Sequence, residues 1–223
     1  QIHERGLTDL MTQIELALVH VLRETEKNGI KLDTKQLEIV ERRINADVVQ
    51  LERDIWELAG EEFVIGSPQQ LGVVLFENLK LSRKRRGKTG YSTDARVLQA
   101  IRDEHPIIPK IERYRELSKL AQTYLTALPN WIGEDGRLHT TFEQTTAATG
   151  RLSSINPNLQ NIPIRTETGR EIRACFIAEP GNQLLSVDYG QVELRVLAHI
   201  ANEQVLRDIF KRGEDVHTET ASA

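Results

Sequence analysis

A chain of 223 residues with 33 acidic and 29 basic side chains carries a formal charge of −4 and can build one sizeable core or two small ones that share an interface. Its 39% hydrophobic and 28% charged residues exclude global disorder, and a single cysteine, Cys175, excludes an internal disulfide framework and a cysteine-rich zinc site. No apolar run reaches the roughly 18 residues needed to span a bilayer, and the opening Gln1-Ile2-His3-Glu4-Arg5 is too polar for a signal peptide; a reducing, cytoplasmic setting with no membrane is expected.

The first half reads as helix. Leu7, Leu10, Met11, Ile14, Leu18, Val21 and Leu22 recur at intervals of three and four until Asn28-Gly29, a C-terminal signal. Asp33-Thr34-Lys35-Gln36 has the spacing of a capping box, which predicts a long helix to about Ala59. Within it Leu37, Ile44, Leu51 and Leu58 repeat every seven residues, with Val48 and Ile55 at the alternate position. Residues 106–128 carry a matching seam of Ile107, Ile111, Tyr114, Ala121, Leu125 and Leu128, so an antiparallel helix pair is expected. Between the two, Ser67-Pro68-Gln69-Gln70 predicts a helix start, and a further short helix is expected after Thr93.

Between Asn78 and Thr93 there is no acid, while Lys80, Arg83, Lys84, Arg85, Arg86 and Lys88 crowd together around Gly87 and Gly90. This composition suits contact with a phosphate backbone and equally a solvated surface loop. A second acid-free span, Gln144 to Thr166, carries Arg151, Arg165 and many amide and hydroxyl side chains, which suit base edges and sugars or simply turns. After Pro129 the period changes: Arg137–Thr146 and Ile172–Ala178 read as strands, and Gln183–Val187 as a buried strand closed by Asp188. Helices are expected from Gln191 and over Glu203–Lys211, with Asp215 capping one more.

Asp188 is the informative acid. A carboxylate at the end of an apolar strand, where a helix begins, is a good ligand for a hard divalent cation. The same spacing allows Asp188 to cap the helix with Gln191, and Glu193 to do no more than favour the helix dipole. Two-metal chemistry needs a second strong carboxylate, which this stretch does not supply.

Asp188-Tyr189-Gly190-Gln191-Val192-Glu193-Leu194-Arg195 resembles motif A of the family A DNA polymerases, the bacterial DNA polymerase I type. Thr149-Gly150-Arg151-Leu152-Ser153-Ser154, Asn158-Leu159-Gln160-Asn161-Ile162-Pro163 and Asp215-Val216-His217-Thr218-Glu219-Thr220-Ala221 are similar to that family's other palm blocks, in order. Lys88-Thr89-Gly90-Tyr91-Ser92-Thr93 resembles its thumb tip, and Tyr114-Arg115-Glu116-Leu117 onward its long thumb helix.

The resemblance implies an α+β fold: a long antiparallel helical thumb projecting from a palm subdomain with a small, mainly antiparallel sheet flanked by helices. Residues 1–32 would form a palm-side helix, 33–128 the thumb with a basic tip at about 80–93, and 129–223 part of the palm with the start of the fingers. It implies that Asp188 and the Tyr189 carbonyl hold magnesium. Tyr189, Gln191, Glu193 and His217 would bind the deoxynucleoside triphosphate, Glu193 crowding the sugar 2′ position. Arg151, Asn158, Gln160 and Asn161 would line the primer-template duplex, and Ser92, Thr93, Arg115, Lys119, Arg85 and Arg86 would meet its phosphates. A monomer in the bacterial cytosol is expected.

Gly190 stands where the family has serine, which predicts a more pliable turn. The family's second metal-binding Asp and its fingers helix match nothing before Ala223, so the chain is expected to be a thumb and partial-palm segment, inactive alone but able to contact duplex DNA. Two other readings stay open: a non-catalytic duplex-binding module, and a metal-dependent nuclease using Asp188 and Glu193.

Overall fold

The computed structural model describes residues 1–82, 86–87, 90–216 and 218–219, with backbone alone at 86, 87 and 90. They form two compact units, residues 1–182 and 183–223. The helical fraction and small antiparallel sheets make the chain α+β, as expected.

In the first unit a π-helical turn, Leu10–Glu15, leads into α1 (Leu16–Asn28), where the chain reverses at Gly29. Gly29 has φ 55°, and a Cβ there would lie 2.5 Å from the Leu138 carbonyl oxygen, so only glycine fits. Of the expected apolar stripe on this segment only Leu22 is buried; Leu7, Leu10, Ile14 and Val21 are exposed.

After β1 (Ile30–Leu32), the Asp33 carboxylate accepts from the Gln36 amide at 3.0 Å and starts α2 (Thr34–Ala59), which ends at Gly60 in the left-handed region. Ser67 caps α3 (Pro68–Val73) in the same way, and a π-turn, Val74–Asn78, follows. The two-residue strands β2 (Arg86–Gly87) and β3 (Gly90–Tyr91) pair antiparallel. Asp94 then caps α4 (Ala95–Ala100), and α5 (Ile107–Leu120) continues through a π-turn to Leu125.

Helices α2 and α5 are antiparallel. Lys110 meets Asp54, Tyr114 donates to Glu52 and Thr126 donates to Glu41, so rising numbers on one helix pair with falling numbers on the other. The pair therefore spans two cores. Leu37, Val40 and Ile44 join Leu117, Leu120, Tyr124 and Leu125 in one. Ile55 joins Leu71, Phe76, Leu98, Ile107 and Ile111 in the other.

Beyond α5, β4 (Arg137–Leu138) and β7 (Phe176–Ile177) flank β1 in an antiparallel sheet, while β5 (Thr141–Glu143) pairs with β6 (Ser153–Ile155). Leu138, Ile172 and Phe176 close the first core against Leu125 and Leu128. The division expected after residue 128 is therefore not a boundary between compact units, because one core runs across it. On the rim of the sheet, Glu179 accepts from Lys31 at 2.6 Å and from Arg137 at 3.2 Å.

Three strand expectations change. Arg137–Thr146 is two short strands with different partners. Ile172–Ala174 belongs to α6 (Glu167–Ala174), because Thr166 caps a helix whose Ile172 faces the core; only Phe176–Ile177 is strand. Gln183–Val187 is not a buried strand: it has no regular secondary structure, pairs with no strand among the described residues, and Leu184, Leu185 and Val187 are exposed. An apolar run becomes a buried strand only when another element supplies hydrogen-bond partners and cover.

The second unit continues with α7 (Val192–Ile200) and α8 (Gln204–Arg212), capped by Glu203 and ended by Gly213 at φ 72°. Among the described residues, Ala198, Ile209 and Val216 are its buried apolar side chains.

Candidate nucleic-acid interface

Helical spacing places Arg115, Lys119, Gln122 and Thr123 along one side of α5 and its π-turn. A cavity of about 750 Å³ opens on this side, and Ser92, Thr93, Arg115 and Lys119, all four expected there, line it together with Gln122. Lys119 also borders a neighbouring cavity of about 210 Å³ lined by Tyr124 and Asn161. A third, about 330 Å³, joins Thr123 and Trp131 to Asn158. Side chains far apart in sequence thus follow one path along α5.

The four thumb residues do different work. Lys119 is exposed and has no ion-pair partner among the described residues. Arg115 is half-buried; it donates to the Thr93 carbonyl and, at 3.0 Å, to the Thr93 hydroxyl, and burial lowers its pKa from the ordinary arginine value. Thr93 itself is 4% exposed, so its side chain anchors the loop to α5 and does not face solvent, contrary to the expected phosphate contact. Ser92 spends its hydroxyl proton on Asp94 at 2.9 Å. Asp94 is an acid on the wall of the same cavity, with its other oxygen on the Val97 amide.

The amide-rich turn is held from beneath. Ser154 and Pro157 are buried, whereas Asn158, Gln160 and Asn161 are exposed. Asn158 accepts from the Gln160 amide at 3.0 Å, which leaves its NH2 for an outside acceptor. Gln160 donates to the Leu152 carbonyl at 3.1 Å, which leaves its side-chain oxygen outward. The Asn161 carbonyl accepts from Tyr124, whose phenol pKa burial raises. Arg151 is exposed just after Gly150, a left-handed residue at φ 76°. Arg85 and His217 lie outside the described residues, as does the Arg86 side chain.

In the second unit Asp188 is exposed, with no hydrogen-bond or ion-pair partner among the described residues. It is not a helix cap: the residue before α7 is Gln191, left-handed at φ 54°, and no side chain caps that end. Tyr189 is 83% exposed. Gln191 donates to Asp215 Oδ1 at 2.6 Å, while Asp215 Oδ2 accepts from the Thr218 amide at 2.9 Å. Two blocks 24 residues apart are thereby tied together. Glu193 sits in the first turn of α7.

Sequence reasoning missed Gln122 and Thr123, which the three-and-four spacing after Lys119 could have signalled, and Tyr124, which follows Leu120 by four. It also missed Arg195, which donates to the Gly190 carbonyl at 3.0 Å and stacks 4.4 Å above the Phe210 ring, tying the turn to α8. Thr140, buried beneath the turn, had no signal at all, because its partner Ser154 is 14 residues away.

The profile of DNA polymerase family A matches residues 34–223. DNA polymerase I of Geobacillus stearothermophilus is 48% identical over 214 residues, covering 95% of this chain and 24% of that protein. The thermostable DNA polymerase I of Thermus aquaticus is 47% identical over 222 residues, covering 98% and 27%. Among solved structures, the POL domain of Pol1 from M. smegmatis, in complex with a DNA primer-template and dNTP, superposes with a TM-score of 0.92 at 38% identity, covering 99% of this chain and 39% of that one. The chain spans about a quarter of the length of the curated relatives it matches. It belongs to DNA polymerase family A.

Proposed function

We propose that this chain is the part of a template-directed DNA polymerase that grips the primer-template duplex and contributes one catalytic carboxylate, Asp188. The observation that carries the reading is the path along α5, where Ser92, Arg115, Lys119, Asn161 and Asn158 line adjoining cavities. Two cations, Lys119 and the half-buried Arg115, beside neutral amides suit a duplex whose phosphates are held without regard to sequence, while minor-groove acceptors common to every base pair are met by donors such as the Asn158 amide and Arg151. The M. smegmatis relative was solved with primer-template and dNTP, which supports the same partners here.

The whole enzyme would join a primer 3′-hydroxyl to the α-phosphate of a deoxynucleoside triphosphate and release pyrophosphate. Asp188 fits one part of a divalent-cation site: its carboxylate is solvent-facing, unpaired among the described residues and next to the Tyr189 carbonyl, and hard oxygen donors suit magnesium. Such a cation would neutralise charge developing on the transferred phosphoryl group. No group of three acidic, His or Cys side chains able to hold a metal occurs among the described residues, so Asp188 supplies one ligand and not a complete set. Tyr189, Gln191 and Glu193 would meet the nucleotide, with Gln191 held in place by Asp215. His217 would join them.

The test is primer extension and duplex binding by the 223-residue protein. Labelled primer-template should bind and remain unextended with magnesium and all four deoxynucleotides. Measurable extension would refute the single-carboxylate reading. Absence of duplex binding would refute the interface. Magnesium-dependent DNA cleavage lost in Asp188→Ala would instead favour hydrolysis by Asp188 with Glu193.

A further inference from the structure

We propose that Thr140 and Ser154 are positioning residues for duplex recognition, their buried hydroxyls setting the turn 155–159 and so aiming Asn158, Gln160 and Asn161. The inference rests on the DNA-binding reading above and names residues behind that surface.

The two hydroxyls sit beneath the turn, Ser154 fully buried and Thr140 7% exposed. Their oxygens are 2.6 Å apart. The Leu159 amide donates to Ser154 Oγ at 3.0 Å, and Thr140 Oγ1 lies 2.8 Å from the Pro157 carbonyl and 3.0 Å from that of Ile155. The two protons satisfy every hydroxyl in either of two arrangements: Leu159 donates to Ser154, and then either Ser154 donates to Thr140 and Thr140 to Pro157, or Thr140 donates to Ser154 and Ser154 to the Pro157 carbonyl at 3.3 Å. The relay starts and ends on the same turn, two residues apart, and closes it from below.

Neither hydroxyl is needed for the sheet, because β5 and β6 pair antiparallel as backbone, with Thr141 opposite Ile155, Phe142 opposite Ser154 and Glu143 opposite Ser153. An apolar side chain would fill the same space. What the hydroxyls add is a fixed path for residues 155–159, from which exposed amide side chains point outward while Ser154 and Pro157 point inward. A buried donor or acceptor left without its partner is costly, so the turn moves when either hydroxyl is removed. Amides meant to meet base edges lose their bonds when displaced by a fraction of an ångström.

The test measures primer-template affinity of the full chain by fluorescence anisotropy over a range of salt. Thr140→Val and Ser154→Ala should each weaken binding about tenfold, as expected for loss of one good hydrogen bond. The slope of log affinity against log salt should not change, because the displaced contacts are uncharged and no phosphate-bound cation is lost. Thr140→Ser, which keeps the hydroxyl, should bind within about twofold of wild type. Hydrogen exchange should show the Leu159 amide opened in Thr140→Val while the β5–β6 amides stay protected. Ile101→Val, in the core remote from the turn, should lower the melting temperature and leave affinity unchanged. Should Thr140→Val melt below the assay temperature, Thr140→Cys, of similar volume and a weaker donor, carries the same expectation. Wild-type affinity in Thr140→Val overturns the inference alone, as does equal weakening in Thr140→Ser, which would make the methyl group the cause. A wild-type chain that binds no duplex overturns both this inference and the reading it rests on.

Discussion

Lys119 and Arg115 lie one helical turn apart on the same cavity, yet they should respond differently to truncation. Lys119 is exposed and has no ion-pair partner among the described residues. Its replacement by alanine should change stability by no more than about 0.5 kcal/mol, the usual range for such surface positions. If it holds one phosphate, the slope of log affinity against log salt should fall by about 0.9. Arg115 is braced against Thr93, whose 4%-exposed side chain and backbone carbonyl both take its protons. Hydrogen bonds from a charged donor contribute about 1.5–3 kcal/mol, and partial exposure of the guanidinium argues for a total near 2 kcal/mol. For a unit of this size that corresponds to a melting temperature lower by roughly 4–8 °C. Thermal unfolding followed by circular dichroism and anisotropy titrations at several salt concentrations measure both effects. Lys119→Ala with an unchanged salt slope, or Arg115→Ala with a wild-type melting temperature, would refute the division of labour drawn here.

Asp188→Ala should leave the melting temperature within about 1 °C, since no described group depends on that carboxylate; a clear drop would make it structural after all. His139 presents one ring nitrogen to the Glu26 carbonyl at 2.7 Å and the other to both Asp135 oxygens at 3.1 Å, and these acceptors, the carbonyl foremost, raise its pKa above the ordinary histidine value despite burial and the nearby Arg137. The imidazolium therefore stabilises the fold fully below the unfolded value of about 6.5, and that contribution fades as pH rises through the higher folded value. Urea midpoints at pH 5.5 and 8.5 should show wild type losing its advantage over His139→Gln at the higher pH; an NMR titration of His139 at or below about 6.5 would contradict this. Asp33→Ala should cost about 1 kcal/mol through loss of the α2 cap, read as a lower urea midpoint.

The helix starts at Asp33, Ser67 and Asp94 were determined by sequence alone, because each cap is satisfied by an amide three residues on and needs nothing from elsewhere. The same holds for the seams of α2 and α5, whose spacing repeats along one helix, and for the ordered blocks that place the chain in its family. Tertiary structure decided the rest. Ile172 belongs to a helix because the Thr166 cap and the core beside it outweigh local β-propensity. Gln183–Val187 stays uncovered because burial depends on a partner, whatever its own hydropathy. The meeting of Lys119 with Asn161, of Gln191 with Asp215 and of Thr140 with Ser154 arises from chain reversals that no local pattern encodes, and hydrogen bonds of about 3 Å reach only what packing has already brought near.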